Sequence, residues 1–146
     1  MTVTSGIWWE PAYRGGRLED LEPSECRRLL VSFNVGRLGY GTPDEQRIVP
    51  LNYVVADEHL VFRTSSDNDI ARFVPGRPVA FEVDEMDGFL QCGWSVLACG
   101  VAEELPRASL RAMDVGETPE PWATGVRSLY LRIPLTRLTG RRVHAV

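Results

Sequence analysis

No lysine occurs anywhere in the 146 residues, so all 16 basic side chains are arginines. That excludes a Schiff-base or lysine-dependent mechanism and leaves anion binding to arginine, hydroxyls and backbone N–H groups. Histidine is almost as scarce. His59 and His144 alone are too few for a histidine-built metal centre, and a histidine in a hairpin turn is read here as solvated rather than as a haem ligand. The three cysteines, Cys26, Cys92 and Cys99, are odd in number and show no C-x-x-C spacing. A disulfide framework and a zinc site are therefore not expected, no metal is assigned, and the reducing cytoplasm is the expected compartment. No apolar run approaches the roughly 20 residues that span a bilayer, so no membrane span is expected. The N-terminal stretch MTVTSGIWWEPAYRGG has neither the basic start nor the apolar centre of a signal peptide. H-E-x-x-H, G-x-S-x-G, a P-loop and a dinucleotide glycine fingerprint are all missing. A net charge of −4 gives no basic footprint, so no nucleic-acid partner is expected.

What is present fits one globular domain over 1–146, with residues 1–20 as an N-terminal arm in which Trp8 and Trp9 act as packing anchors. From Pro23 to Asn34 the spacing of Cys26, Leu29, Leu30 and Phe33 makes one apolar stripe of a helix, opened by a proline at its first position. VGRLGY alternates, with Gly36, Leu38 and Tyr40 on one face and Val35, Arg37 and Gly39 on the other. RIVPLNYVV and LVFRT follow as strands joined by an ADEH hairpin, and Pro50 is expected to break the first of them locally. NDIARFV reads as a short helix with Asp67 as its N-cap. RPVAFEVDEMD turns Val79, Phe81 and Val83 inward. FLQCGWSVLACGVAEEL is a long strand with bulges or bends expected at Gly93 and Gly100, PRASLRAMDV is a helix, and Pro134 and Gly140 are expected to interrupt the last strand. About six strands in hairpins and a meander, with two or three short helices, predict a mainly β fold: an antiparallel barrel with helices over its ends.

One stretch carries the candidate chemistry. Gln46–Phe73 ends in Arg63, Thr64, Ser65 and Ser66, donors suited to an anion, followed at once by Asp67 and Asp69. It reads either as an anion grip or as a capped turn whose arginine pairs with those acids. The acid pairs Asp84-Glu85 and Glu103-Glu104 read as solvated strand ends.

The ordered run VGRLGY, RIVPLNYVV, LVFRTSS, PVAFEVDEMD, GWSVLACGVAEE, PWATGVR and TGRR resembles the short pyridoxamine 5′-phosphate oxidase-like proteins, over about residues 18–143. That resemblance implies a six-stranded antiparallel split barrel, a homodimer, and flavin mononucleotide (FMN) in a groove between subunits. It further implies oxidoreductase chemistry on a small molecule. The deazaflavin coenzyme is one alternative, and a split-barrel dimer that has lost its cofactor and acts as a binding module is another. Carried over by position, Arg47, Pro50, Leu51 and Asn52 belong to the strand along the isoalloxazine, and Arg63, Thr64 and Ser65 to the phosphate loop. Ser95 faces the ring system, while Trp122 and Arg127 lie where a second subunit contributes. The chain departs from the family where FRT-x-x-G-x-K, or an Arg-Lys pair at the helix start, is usual, since Asn68 and Asp69 stand at the helix start. An acid there instead of a cation weakens phosphate binding by about 10- to 1000-fold, with Arg72 or a partner's arginine placed to compensate. Turnover of pyridoxamine phosphate itself is not expected, although Arg137, Arg141 and Arg142 form a second basic group.

Overall fold

The computed structural model describes residues 16–113 and 118–145. Its elements are, in order, β1 (Leu18–Asp20), α1 (Pro23–Ser32), β2 (Val35–Gly41), β3 (Gln46–Asn52), β4 (Val54–Ala56), β5 (His59–Thr64), α2 (Asp69–Phe73), β6 (Pro78–Asp87), β7 (Cys92–Val101), β8 (Glu103–Glu104), α3 (Arg107–Ala112), β9 (Leu129–Pro134) and β10 (Leu138–Val143). Six strands form one antiparallel sheet in the order β1-β10-β7-β6-β2-β3, and four form a second in the order β4-β5-β9-β8. This is the antiparallel split barrel with peripheral helices that the strand pattern predicts. Trp8 and Trp9 lie outside the described residues. No described helix is long and apolar enough to cross a membrane.

The inward residues of both sheets meet in a core that includes Leu38, Phe62, Phe81, Val83, Val96 and Leu131, all essentially fully buried. Phe81 sits at its centre, edge-on to Tyr53 at 5.3 Å and 6.0 Å from Phe62 between ring centroids. Tyr53 is buried among apolar groups, which pushes its phenol well above its ordinary range. Its hydroxyl donates to the Leu30 carbonyl at 2.7 Å, tying α1 to the barrel. Cys26, Leu29 and Leu30 are the buried stripe of α1, as their spacing predicts. Gly140 makes that packing possible, because a Cβ there would come within 2.7 Å of the Cys26 sulfur.

Several local expectations are corrected. Pro50 does not break its strand: β3 pairs with β2 without interruption from Gln46↔Gly41 to Asn52↔Val35. As the edge strand of its sheet, β3 tolerates a residue that donates no hydrogen bond outward. The break falls at Tyr53, whose N–H turns to the Asn34 carbonyl at 3.0 Å, and from there the chain passes into the other sheet. Gly93 and Gly100 are not bulges, since β7 keeps one-to-one register with β6 from Cys92 to Val101. Gly140 likewise stays in register with Val96, and the expected last strand is two strands, β9 and β10, in different sheets. Phe33 caps α1 instead of continuing its buried stripe, and packs on Trp94 at 5.0 Å. The ADEH hairpin is present, with positive φ at both Asp57 and Glu58, the conformation that two-residue turns between twisted strands require.

Candidate functional site

Arg47, Pro50, Leu51 and Asn52, four of the candidate residues, lie on edge strand β3. Its outer side is open, with Ile48 73% exposed, and an edge leaves a row of backbone N–H and C=O groups without strand partners. Beyond its C-terminal end lies a cavity of about 430 Å³ lined by Phe33, Asn34, Asn52, Val54, Glu120 and Trp122. Asn52 is held there on both sides: its Oδ1 accepts from the Trp122 N–H at 3.0 Å and its Nδ2 reaches the Asn34 carbonyl at 3.4 Å.

At the N-terminal end of β3 the polar loop after β5 closes over Arg47. Asn68, not Asp67, is the N-cap of α2. Its Oδ1 accepts from the Ala71 N–H at 3.0 Å while its Nδ2 donates to the buried Thr64 hydroxyl at 2.6 Å. Both residues are good caps by type, and Asn68 is held in the capping place by its bond to the buried Thr64. Ser65 donates to the Asp67 carboxylate. Arg47 donates to the Asp69 carboxylate through Nη1 and to Glu45 through Nε at 2.8 Å. Arg63 donates to the Arg127 carbonyl at 3.0 Å and lies 5.0 Å from the Tyr130 ring centroid. Arg72 stands over the Phe73 ring at 5.8 Å. The loop therefore has the composition of an anion site, with the Thr64 and Ser65 hydroxyls and its nearest cation already engaged by the protein's own groups.

The residues singled out in the sequence thus form two groups along one strand. Arg47, Thr64 and Ser65 gather with Asp69 at one end, Asn52 joins Trp122 at the other, and Pro50 and Leu51 lie between. Arg63 and Arg127 meet at the carbonyl, and Arg72 lies on α2 beside the first group. Ser95 stands apart. It is on β7, separated from β3 by β6 and β2, roughly 14 Å at the usual strand spacing. It lines a cavity of about 280 Å³ with Glu82, Leu97 and Arg141.

Strand alternation turns Glu82 to the face opposite Val79, Phe81 and Val83. Register places it opposite Arg37, whose Nη1 donates to Glu82 at 3.1 Å and to Asp84 at 3.2 Å. Partial burial, then a hydrogen bond and repulsion from Asp84, outweigh Arg37 and raise the Glu82 carboxyl to about 7. The folded chain therefore holds this proton at pH values where the unfolded chain, near 4.5, has lost it. Through this group stability falls as pH rises from about 4.5 to 7 and is level above. We expect Glu82→Gln to raise the urea midpoint at pH 8 and to match the parent protein near pH 4. Equal midpoints at pH 8, or a lower one for the variant, would refute this assignment.

The arrangement of the two sheets defines a class, the antiparallel split barrels. Residues 22–142 match the pyridoxamine 5′-phosphate oxidase family, and the chain belongs to it. An uncharacterised protein of Mycobacterium tuberculosis is 29% identical over 133 residues, 86% of each chain. The FAD-binding protein of Mycobacterium smegmatis superimposes with a TM-score of 0.66 at 26% identity, over 88% of this chain and 100% of the other. A FAD-binding protein of Mesorhizobium loti shares the fold, with a TM-score of 0.65 at 23% identity over 86% and 98% of the two chains.

Proposed function

We propose that this protein binds a flavin along the outer edge of β3 and works as a flavin-dependent oxidoreductase on a small molecule. The observation that carries the reading is the edge itself: an exposed strand with open backbone groups, an arginine at one end and a cavity at the other. The family match supports it, as does the likeness to the FAD-binding protein of M. smegmatis.

The donor set fits the ring. Backbone N–H and C=O groups of β3 are suited to the polar edge of an isoalloxazine, and Ile48 and Pro50, exposed on the same strand face, would supply apolar contact, while Leu51 packs toward the core. Asn52, oriented by Trp122 and Asn34, presents a carboxamide at the mouth of the 430 Å³ cavity, where a small substrate would approach. A bound flavin would supply the hydride and electron chemistry, and the protein would supply position and electrostatics. FMN is the form that the family resemblance implies, and the deazaflavin coenzyme is the alternative. A homodimer would close the groove from its open side. A second reading, a binding module without cofactor, rests on Asp69, which occupies the guanidinium of Arg47.

Titration with riboflavin, FMN, FAD and a deazaflavin, followed by quenching of ligand fluorescence, distinguishes the two. Saturable quenching by at least one of them at micromolar concentrations is expected. Failure of all four to bind would favour the module and end the flavin reading.

A further inference from the structure

A third cavity opens one residue beyond Arg47. It has a volume of about 490 Å³, within the usual range of roughly 300–1,000 Å³ for small-molecule sites. It lies between the turn from β2 to β3, the end of α2 and the start of β6, and is lined by Thr42, Gln46, Phe73, Arg77 and Val79. Nothing in the core packing or in the candidate site so far described uses it.

Its side chains suit a nucleotide. Arg77 is exposed, and among the described residues its guanidinium has no hydrogen-bond or ion-pair partner. Its backbone, by contrast, is anchored: the N–H donates to Val74 at 3.1 Å and the carbonyl accepts from Ala102 at 3.1 Å. A free cation on a fixed stem is suited to a phosphate. Phe73 is half-buried and offers an aromatic wall on which a base can stack. The Gln46 carboxamide, also without a partner among the described residues, can donate and accept at a base edge.

Order along β3 decides what kind of nucleotide. From Asn52 to Gln46 the strand passes from the ring platform to Arg47 and then to this cavity, a run of about 20 Å at the usual rise. A ligand laid along it reads ring, phosphate, base. FMN ends at its phosphate and leaves the cavity empty, whereas FAD continues into it.

Charge points the same way. A terminal phosphate monoester carries about −1.5 to −2 at pH 7, and each phosphate of the FAD diester bridge carries one charge. Arg47 is already shared between Asp69 and Glu45, so the strand end is net acidic without Arg77. A dianion confined to that point is penalised more than two single charges, one of which reaches Arg77.

We propose that the cavity lined by Gln46, Phe73 and Arg77 takes the adenylate half of FAD, and that Asp69 on Arg47 discriminates against the terminal phosphate of FMN. The inference rests on the flavin reading above and deepens it. The dinucleotide is selected by an adenylate subsite on one side and by an acidic guard at the phosphate on the other.

The full chain is titrated with FAD, FMN and riboflavin, with ADP as competitor. FAD should bind at least about tenfold more tightly than FMN, and ADP should displace FAD while leaving riboflavin bound. Arg77→Ala should cost FAD about tenfold and change riboflavin less than about twofold. Asp69→Asn should strengthen FMN by about tenfold and narrow the gap. FMN binding as tightly as FAD overturns the proposal while leaving the flavin reading intact, as does an equal effect of Arg77→Ala on all three flavins. If none of the three binds, the proposal falls with the flavin reading itself. Arg77 is exposed and Asp69 half-buried, and an unchanged circular-dichroism melting curve confirms that each variant is folded.

Discussion

Replacing Phe81 by alanine should lower the unfolding free energy by about 3–5 kcal/mol, a large share of the roughly 5–15 kcal/mol that holds a domain of this size together. Phe81 is fully buried and is the ring against which both Tyr53 and Phe62 pack. It projects from β6, the strand that joins β7 to β2 inside the larger sheet, toward Phe62 of the smaller sheet. Its loss leaves a void that neither sheet can close, because each is held by continuous register. Denaturant unfolding reads the effect directly, and the melting temperature should fall by roughly 10–15 °C. A loss below about 1 kcal/mol would mean that the two sheets are not joined through this ring.

The second large effect is at Gly36. Its backbone is not in the left-handed region, so the constraint is space rather than conformation. A Cβ built there would lie 2.2 Å from a Phe81 ring carbon, 2.7 Å from the Glu82 carbonyl oxygen and 2.9 Å from a Val83 methyl. The carbonyl belongs to strand β6 and cannot move alone, and the ring is pinned between Tyr53 and Phe62. We expect Gly36→Ala to cost about 3 kcal/mol, at the upper end of what overpacking does. The pair also yields a sharper test. The Phe81→Ala background removes the shortest of the three contacts and leaves those with the Glu82 carbonyl and Val83, so the double variant should be more stable than the sum of the two losses predicts by about 1 kcal/mol or more. Additive losses would show that the ring is not what Gly36 makes way for.

Both effects depend on alternation that can be read along the chain. Val79, Phe81 and Val83 are inward by strand periodicity, as are Leu38 and Tyr40, and the structure buries all five. The α1 stripe of Cys26, Leu29 and Leu30 is equally local, set by the helical repeat. Expectations went astray where the deciding partner lies far along the chain. Whether Pro50 breaks a strand depends on whether that strand is central or at an edge, and the sheet order places β3 at the edge. Asp67 and Asn68 are equivalent caps by residue type, and a bond to the buried Thr64 holds Asn68 in the capping place. Gly140 reads as an interruption until helix α1 is laid across it with Cys26 in the vacant space.

The candidate site divides in the same way. Its elements were legible: a strand from Arg47 to Asn52, a polar loop from Arg63 to Ser66, and an acid at position 69. Residue chemistry and short-range periodicity by themselves determined a mainly β barrel, an all-arginine basic set and a candidate anion loop. Only the tertiary structure decided that Asp69 answers Arg47 from 22 residues away, that Glu82 meets Arg37 across 45, and that Ser95 lies on another part of the sheet. The reason is physical. Helix and strand periods are fixed within a few residues by backbone geometry, whereas ion pairing and cavity shape depend on strand order and register, which the packing of the whole core sets.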